Sequence, residues 1–398
     1  MAINCLRCKA KIDKSPDMSA RHSYCVNCWS THLRRLRSTL YGLAGFTVAG
    51  ILLILTSRDS TSGWLLLNLV LLYLFGSIAT IFHEFGHALT AGLVGARVQG
   101  VIIGAGPQFW QTRLFGIPVV FRAFALGGGY TLVTHPSFSW VRLRQAVLVL
   151  AGPVTNLAIA LALIWLLPAT ALIGFPKDTG LFPMLAFIGA NLVSFVASLI
   201  PMRYTIEGGV IKSDGLQLLC LPFQNPRDFS PAVGAYFFTL SAEYLAAKDY
   251  NAAREAGLKG LRAHDKPDQL RAYLSNQVAW CNLLLGKAEL LQEAIGYASE
   301  ATELAPDNLG IKGTLGSVLI EDGQYERGLA ILLESTDDVE QDTDKALNMC
   351  YVAIAYHYLG DANKGRETIR TVEALDPDCL FLGRAHEAQS RAVRSSLA

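Results

Sequence analysis

The residues best placed to do chemistry are His83, Glu84 and His87, in the run His83-Glu84-Phe85-Gly86-His87. Histidines at i and i+4 share one face of a helix, so both imidazoles can ligate a single metal ion. The glutamate between them can reach a water on that ion and accept its proton. The surroundings sharpen this reading, because Glu84 is the only acidic residue between Asp59 and Asp178. A lone carboxylate in so apolar a stretch is expensive to bury and marks a functional site. A second ligand pattern opens the chain: Cys5-x-x-Cys8 and Cys25-x-x-Cys28, with 16 residues between the pairs. That spacing suits a structural zinc held by four thiolates. So short a segment needs such a staple to fold, and a reducing cytoplasm disfavours the alternative of two disulfides. Cys220, Cys281, Cys350 and Cys379 lack ligand spacing and read as core residues. A basic ribbon could touch nucleic acid, but a solvated basic face beside a membrane explains the charge, and no nucleic-acid partner is expected.

The elements that must position these residues are apolar. Residues 39–57, 64–95, 145–167 and 181–202 form four stretches of membrane-spanning length, almost free of acids. Buried helices of a soluble enzyme fit such a run poorly. Charge is divided unevenly: residues 1–215 carry a net +10 and residues 216–398 a net −9. Arg34, Arg35 and Arg37 precede the first stretch, while Arg97, Arg113, Arg122, Arg142 and Arg144 lie between the second and third. Arg203 and Lys212 follow the fourth, and the other two loops hold only Arg58 and Lys177. Positive loops stay inside, so both termini are expected in the cytoplasm. The second and fourth stretches then both run inward, which brings His83–His87 and the residues after 202 to the same side. No cleavable signal peptide is expected, since the first 38 residues are rich in Cys and Lys and lack an apolar core. The short, loop-poor arrangement suggests a bacterial plasma membrane.

From about residue 235 the pattern becomes helix–turn–helix with an internal repeat. The turn positions Lys248, Gly286, Gly323 and Gly360 are 38, 37 and 37 residues apart. This resembles the tetratricopeptide repeat, with about four units over 235–380 and a capping helix over 381–396. Stacked units of that kind form a superhelix with a concave face for a protein or peptide partner.

Several further segments resemble the site-2 protease family of intramembrane metallopeptidases, over residues 64–220. Gly104-Ala105-Gly106-Pro107 is similar to the family's Gly-x-Gly-Pro segment. Leu126-Gly127-Gly128-Gly129-Tyr130 is similar to its Leu-Gly-Gly-Tyr strand, and Gly152-Pro153-Val154-Thr155-Asn156 matches its Gly-Pro-x-x-Asn motif. The resemblance implies that 97–133 forms a membrane-associated β-hairpin region able to present a substrate strand. It implies that Asn156 lies near the catalytic centre as a donor to the developing oxyanion. It also implies a third zinc ligand from an Asp-Gly pair following Asn-x-x-Pro. Here Ser198-Leu199-Ile200-Pro201 has Ser in place of Asn, and both Glu207-Gly208 and Asp214-Gly215 follow. Glu207 has the nearer spacing; Asp214 has the family's residue type and is taken as the ligand.

The expected fold is mainly α. A polytopic membrane helix bundle of about four spans, with a small β region, is followed by a soluble α-helical, TPR-like solenoid. The expected domains are a cytoplasmic zinc ribbon at 1–38, a membrane metalloprotease domain at 39–222 and a repeat domain at 235–398. The expected function is zinc proteolysis of membrane-spanning substrates, with one catalytic Zn²⁺ at His83, His87 and Asp214, one structural Zn²⁺ at the cysteines, and Glu84 and Asn156 catalytic. The ribbon and repeats would recruit or regulate from the cytoplasm. The alternative is a membrane-anchored repeat scaffold with a non-proteolytic metal site. His135, before Pro136, reads as a loop histidine rather than a ligand.

Overall fold

The apolar stretches form helices, because nothing else in the bilayer satisfies every backbone N–H and C=O within one segment. Helices α1 (Val26–Thr56), α2 (Thr61–Leu93) and α3 (Val141–Leu166) are each long and apolar enough to cross a membrane. The fourth expected stretch yields α4 (Pro183–Leu199), a shorter apolar helix of 17 residues. Proline explains both of its ends: Pro183 starts it, where the missing N–H is harmless, and Pro201 follows shortly after its last turn. Asn68 on α2 ties the entry of α4 in place, donating to the Gly180 carbonyl and accepting from the Phe182 N–H, both at 2.8 Å. The computed structural model describes residues 3–4, 11–12, 26–56, 60–167, 180–206, 209–263, 267–336 and 342–397. Two compact units emerge, Met1–Pro226 and Arg227–Ala398.

The first unit is polar inside and apolar outside. His83, Glu84, His87, Asn156 and Asn191 are buried, whereas Leu55, Leu93 and Trp165 are largely exposed. This inversion suits a bundle dissolved in lipid, where an apolar exterior costs nothing and an unpaired polar group must turn inward. Strands β1 (Ile3–Asn4) and β2 (Lys11–Ile12) pair near the start of the chain. Cys5, Cys8 and Cys25 lie outside the described residues, and Cys28 sits half-buried on α1.

Between α2 and α3 run two long antiparallel strands, β3 (Arg97–Leu114) and β4 (Ile117–Thr134). Bulges fold this hairpin back on itself, so that Val101 pairs with both Thr131 and Val119, while Thr112 also pairs with Val119. The spatial order is therefore 129–134, 97–103, 117–122 and 108–114, with Gly129–Thr134 on one outer edge. Val101, Ile103 and Val119 bury one face of this sheet against Ile81, Phe85 and Ala88 of α2. After α4, strands β5 (Arg203–Ile206) and β6 (Gly209–Lys212) pair and lead into α5 (Asp214–Cys220). Glu207 and Gly208, between those strands, lie outside the described residues.

The second unit is a run of antiparallel helix pairs. They are α6 (Ser230–Ala246) with α7 (Tyr250–Arg262), α8 (Asp268–Leu285) with α9 (Ala288–Leu304), α10 (Leu309–Glu321) with α11 (Tyr325–Thr336), and α12 (Asp342–Tyr358) with α13 (Ala362–Leu375). Helix α14 (Leu382–Leu397) follows. Each tight turn has a residue in the left-handed region: Lys248 at φ 61°, Gly286 at 61°, Gly323 at 80° and Gly360 at 85°. Three are glycine, which enters that region without a Cβ penalty. The alanines Ala279, Ala294, Ala298, Ala301, Ala353 and Ala355 are buried, which lets neighbouring helices approach closely. Of the cysteines read as core, Cys281, Cys350 and Cys379 are buried and Cys220 is half-buried.

Candidate metal centre

Helix periodicity places His83 and His87 on one face of α2, and the fold turns that face inward. Their Nε2 atoms lie 3.2 Å apart. Asp214 arrives from α5, with Oδ2 at 2.9 Å from the His83 Nε2 and Oδ1 at 3.7 Å from the His87 Nε2. Two nitrogens bound tetrahedrally at about 2.0–2.1 Å sit roughly 3.3 Å apart, so the two imidazoles have the separation of ligands on one ion. Burial pushes the Asp214 carboxyl up, but the two imidazoles beside it outweigh that push and hold the group below the ordinary carboxylate range.

The surroundings of this cluster suit a metal. The Nδ1 of His87 donates to the Leu148 carbonyl at 2.7 Å, which leaves the Nε2 lone pair free to ligate. A Cβ on Gly152 would lie 2.4 Å from the His87 Nε2 and 2.6 Å from the His83 Nε2. Only glycine keeps that space open. Two imidazoles and a carboxylate around it match the three protein ligands of an open zinc site.

Asp214 is placed by its neighbour. The Ser213 hydroxyl donates to the Ile200 carbonyl at 2.7 Å and accepts from the N–H groups of Met202 at 2.9 Å and Leu216 at 3.2 Å. It thus caps α5 and ties its first turn to the end of α4. The hydroxyl's bonding capacity is filled.

Glu84 is buried beside the two histidines. Its Oε2 accepts from the Thr131 hydroxyl at 2.8 Å, and its backbone carbonyl lies 3.1 Å from the same oxygen. A Cβ on Gly129 would sit 2.7 Å from Glu84 Cγ and Oε1, so the edge strand reaches the carboxylate only because that residue is glycine. Sequence reasoning missed Gly129 and Thr131 as a pair. Their two-residue separation, which puts both on one face of a strand, was the available signal.

Asn156 is fully buried on α3. Its Nδ2 lies 3.4 Å from the Ala79 carbonyl, one helical turn before His83, and its Oδ1 has no partner among the described residues. In this arrangement the amide links two helices. His135 is also buried but stands apart, with Nε2 at 2.9 Å from Gln145 Oε1. Burial holds it below its usual pKa despite that bond. Among the described residues, His83, His87 and Asp214 are the group whose donor atoms converge, all within 4.8 Å of one another.

Known proteins are similar to parts of this chain. RseP of Escherichia coli, named a regulator of sigma-E protease, is 31% identical over 139 residues, which is 32% of this chain and 29% of its own. Rip2 of Mycobacterium tuberculosis, named as a zinc metalloprotease, is 30% identical over 171 residues, covering 40% of this chain and 64% of its own. The chain thus spans less than two thirds of the length of these relatives. A crystal structure of YrrB, described as a TPR protein with an unusual peptide-binding site, overlaps 55% of this chain and 98% of its own. The two share 19% identity, with a TM-score of 0.29. The profile of Peptidase family M50 matches residues 70–373, from α2 through the repeats, and the chain belongs to that family.

Proposed function

We propose that this protein is a zinc metalloprotease that hydrolyses peptide bonds of membrane-spanning substrates. The observation that carries the reading is the convergence of His83, His87 and Asp214 beside the buried Glu84, inside apolar helices. Bound there, zinc would polarise a water and a substrate carbonyl. The chain's own residues do the rest. Glu84 accepts the water's proton as the water attacks, then returns it to the leaving nitrogen. A helical substrate must first unwind, because its peptide bonds are shielded by their own hydrogen bonds. The outer edge of Gly129–Thr134, beside Glu84, has no neighbouring strand among the described residues, so an added strand can pair there. For Asn156 to donate to the oxyanion it must turn from Ala79, a contact long enough at 3.4 Å to yield.

In this reading both termini are cytoplasmic, the four-cysteine ribbon holds a structural zinc, and the repeats capture a protein or peptide partner that regulates or delivers substrate. The test compares membrane proteomes of cells carrying the wild-type protein and Glu84→Gln at matched expression. Full-length single-span proteins should accumulate only with the variant. Identical proteomes, with both proteins loaded with zinc, would overturn the proposal.

A further inference from the structure

We infer that Thr131 is a positioning residue for the general base, and that it links the substrate-binding edge of the sheet to Glu84. The inference rests on the proteolytic reading above. Nothing in the zinc ligands themselves orients the Glu84 side chain: a carboxylate on α2 has three rotatable bonds, and in a buried site each wrong rotamer removes the base from the water. The Thr131 hydroxyl meets Oε2 at 2.8 Å and lies 3.1 Å from the Glu84 carbonyl oxygen, so one strand residue touches both the side chain and the backbone of the base. Gly129, on the same face of β4, lets the strand come close enough for that bond. Oε1, turned towards Gly129, is not the oxygen engaged by Thr131. One carboxylate oxygen is therefore held by the sheet while the other is left for proton transfer.

The position of Thr131 adds a consequence. It pairs with Val101 on one side, and on its other side no strand runs among the described residues. A substrate segment added there would lie alongside the residue that holds the base. One residue would then lie beside a seated substrate strand and hold the base at once, so a shift of β4 that alters strand pairing also moves the Thr131 hydroxyl.

Full-length protein in lipid nanodiscs serves for the test, in four forms: wild type, Thr131→Val, Thr131→Ser and Glu84→Gln. Four quantities are read from each: bound zinc per chain, affinity for a peptidyl hydroxamate, and kcat and KM on a fluorescent single-span model protein. A hydroxamate chelates zinc and gives its proton to the neighbouring base, so it reports the placement of Glu84 without turnover. Thr131→Val should keep its zinc and its KM, lose about ten- to a hundred-fold in kcat, and bind the hydroxamate about tenfold more weakly. Thr131→Ser should recover most of both losses, because it restores the hydroxyl and not the methyl. Hydroxamate affinity unchanged in Thr131→Val, or equal losses in Val and Ser variants, would overturn the inference. So would loss of zinc in Thr131→Val, since the role would then be structural. Glu84→Gln separates the two proposals: turnover by that variant sinks the proteolytic mechanism, whereas its inactivity beside a fully active Thr131→Val sinks only the role of Thr131.

Discussion

A Cβ placed on Gly152 would fall 2.4 Å from Nε2 of His87, inside the space where the three candidate ligands converge. Gly152→Ala should therefore exclude the metal without breaking α3, since alanine is the better helix former. The expected outcome is the loss of one zinc per chain, about half of the wild-type content, after dialysis, as measured by elemental analysis. Retention of both zinc ions by Gly152→Ala would mean that the catalytic ion sits elsewhere.

Asp214→Ala removes one of three ligands and should leave the four-cysteine zinc as the only metal that survives mild chelation. Glu207→Ala tests the competing ligand that the sequence offers. Zinc content should fall by one per chain in the first variant and stay level in the second. The opposite pattern would transfer the ligand role to Glu207.

Ser213 makes a third site to probe. Its hydroxyl fills three hydrogen bonds that join the end of α4 to the first turn of α5. Ser213→Ala strands two N–H groups and a carbonyl, at a cost of about 1–3 kcal/mol in local stability. Because Asp214 is the next residue, zinc affinity should drop as well, by roughly tenfold, as for other groups that hold a ligand in place. Competition with a chelator of known affinity measures this, and unchanged affinity would show that Asp214 is held by the metal alone.

In the repeat unit, Lys248 occupies the left-handed turn position that Gly286, Gly323 and Gly360 occupy in the other pairs. A side chain there is strained by about 1 kcal/mol relative to glycine. Lys248→Gly should slow amide exchange in α6 and α7 about fivefold, and Gly323→Ala should accelerate it in α10 and α11. Hydrogen exchange on the intact protein distinguishes the two. Acceleration in Lys248→Gly would indicate that the lysine side chain makes a contact worth more than the backbone strain.

Much of this molecule is legible residue by residue. Apolar runs become membrane helices because lipid leaves the backbone no other partner, and a His-Glu-x-x-His run on a helix puts both imidazoles on one face whatever surrounds it. The same locality made the turns at Lys248, Gly286, Gly323 and Gly360 visible, since each is set by short-range backbone geometry. The short α4 occupies only Pro183–Leu199 of the apolar stretch 181–202, because Pro183 and Pro201 limit the helix at its two ends. What required the tertiary structure was every relation across long sequence separations. Asp214 meets His83 across 131 residues, Thr131 meets Glu84 across 47, and Leu148 meets His87 across 61. No periodicity links such partners. They are brought together by helix crossing and by the folding back of a bulged hairpin, and these depend on the packing of whole faces rather than on any residue's neighbours in the chain.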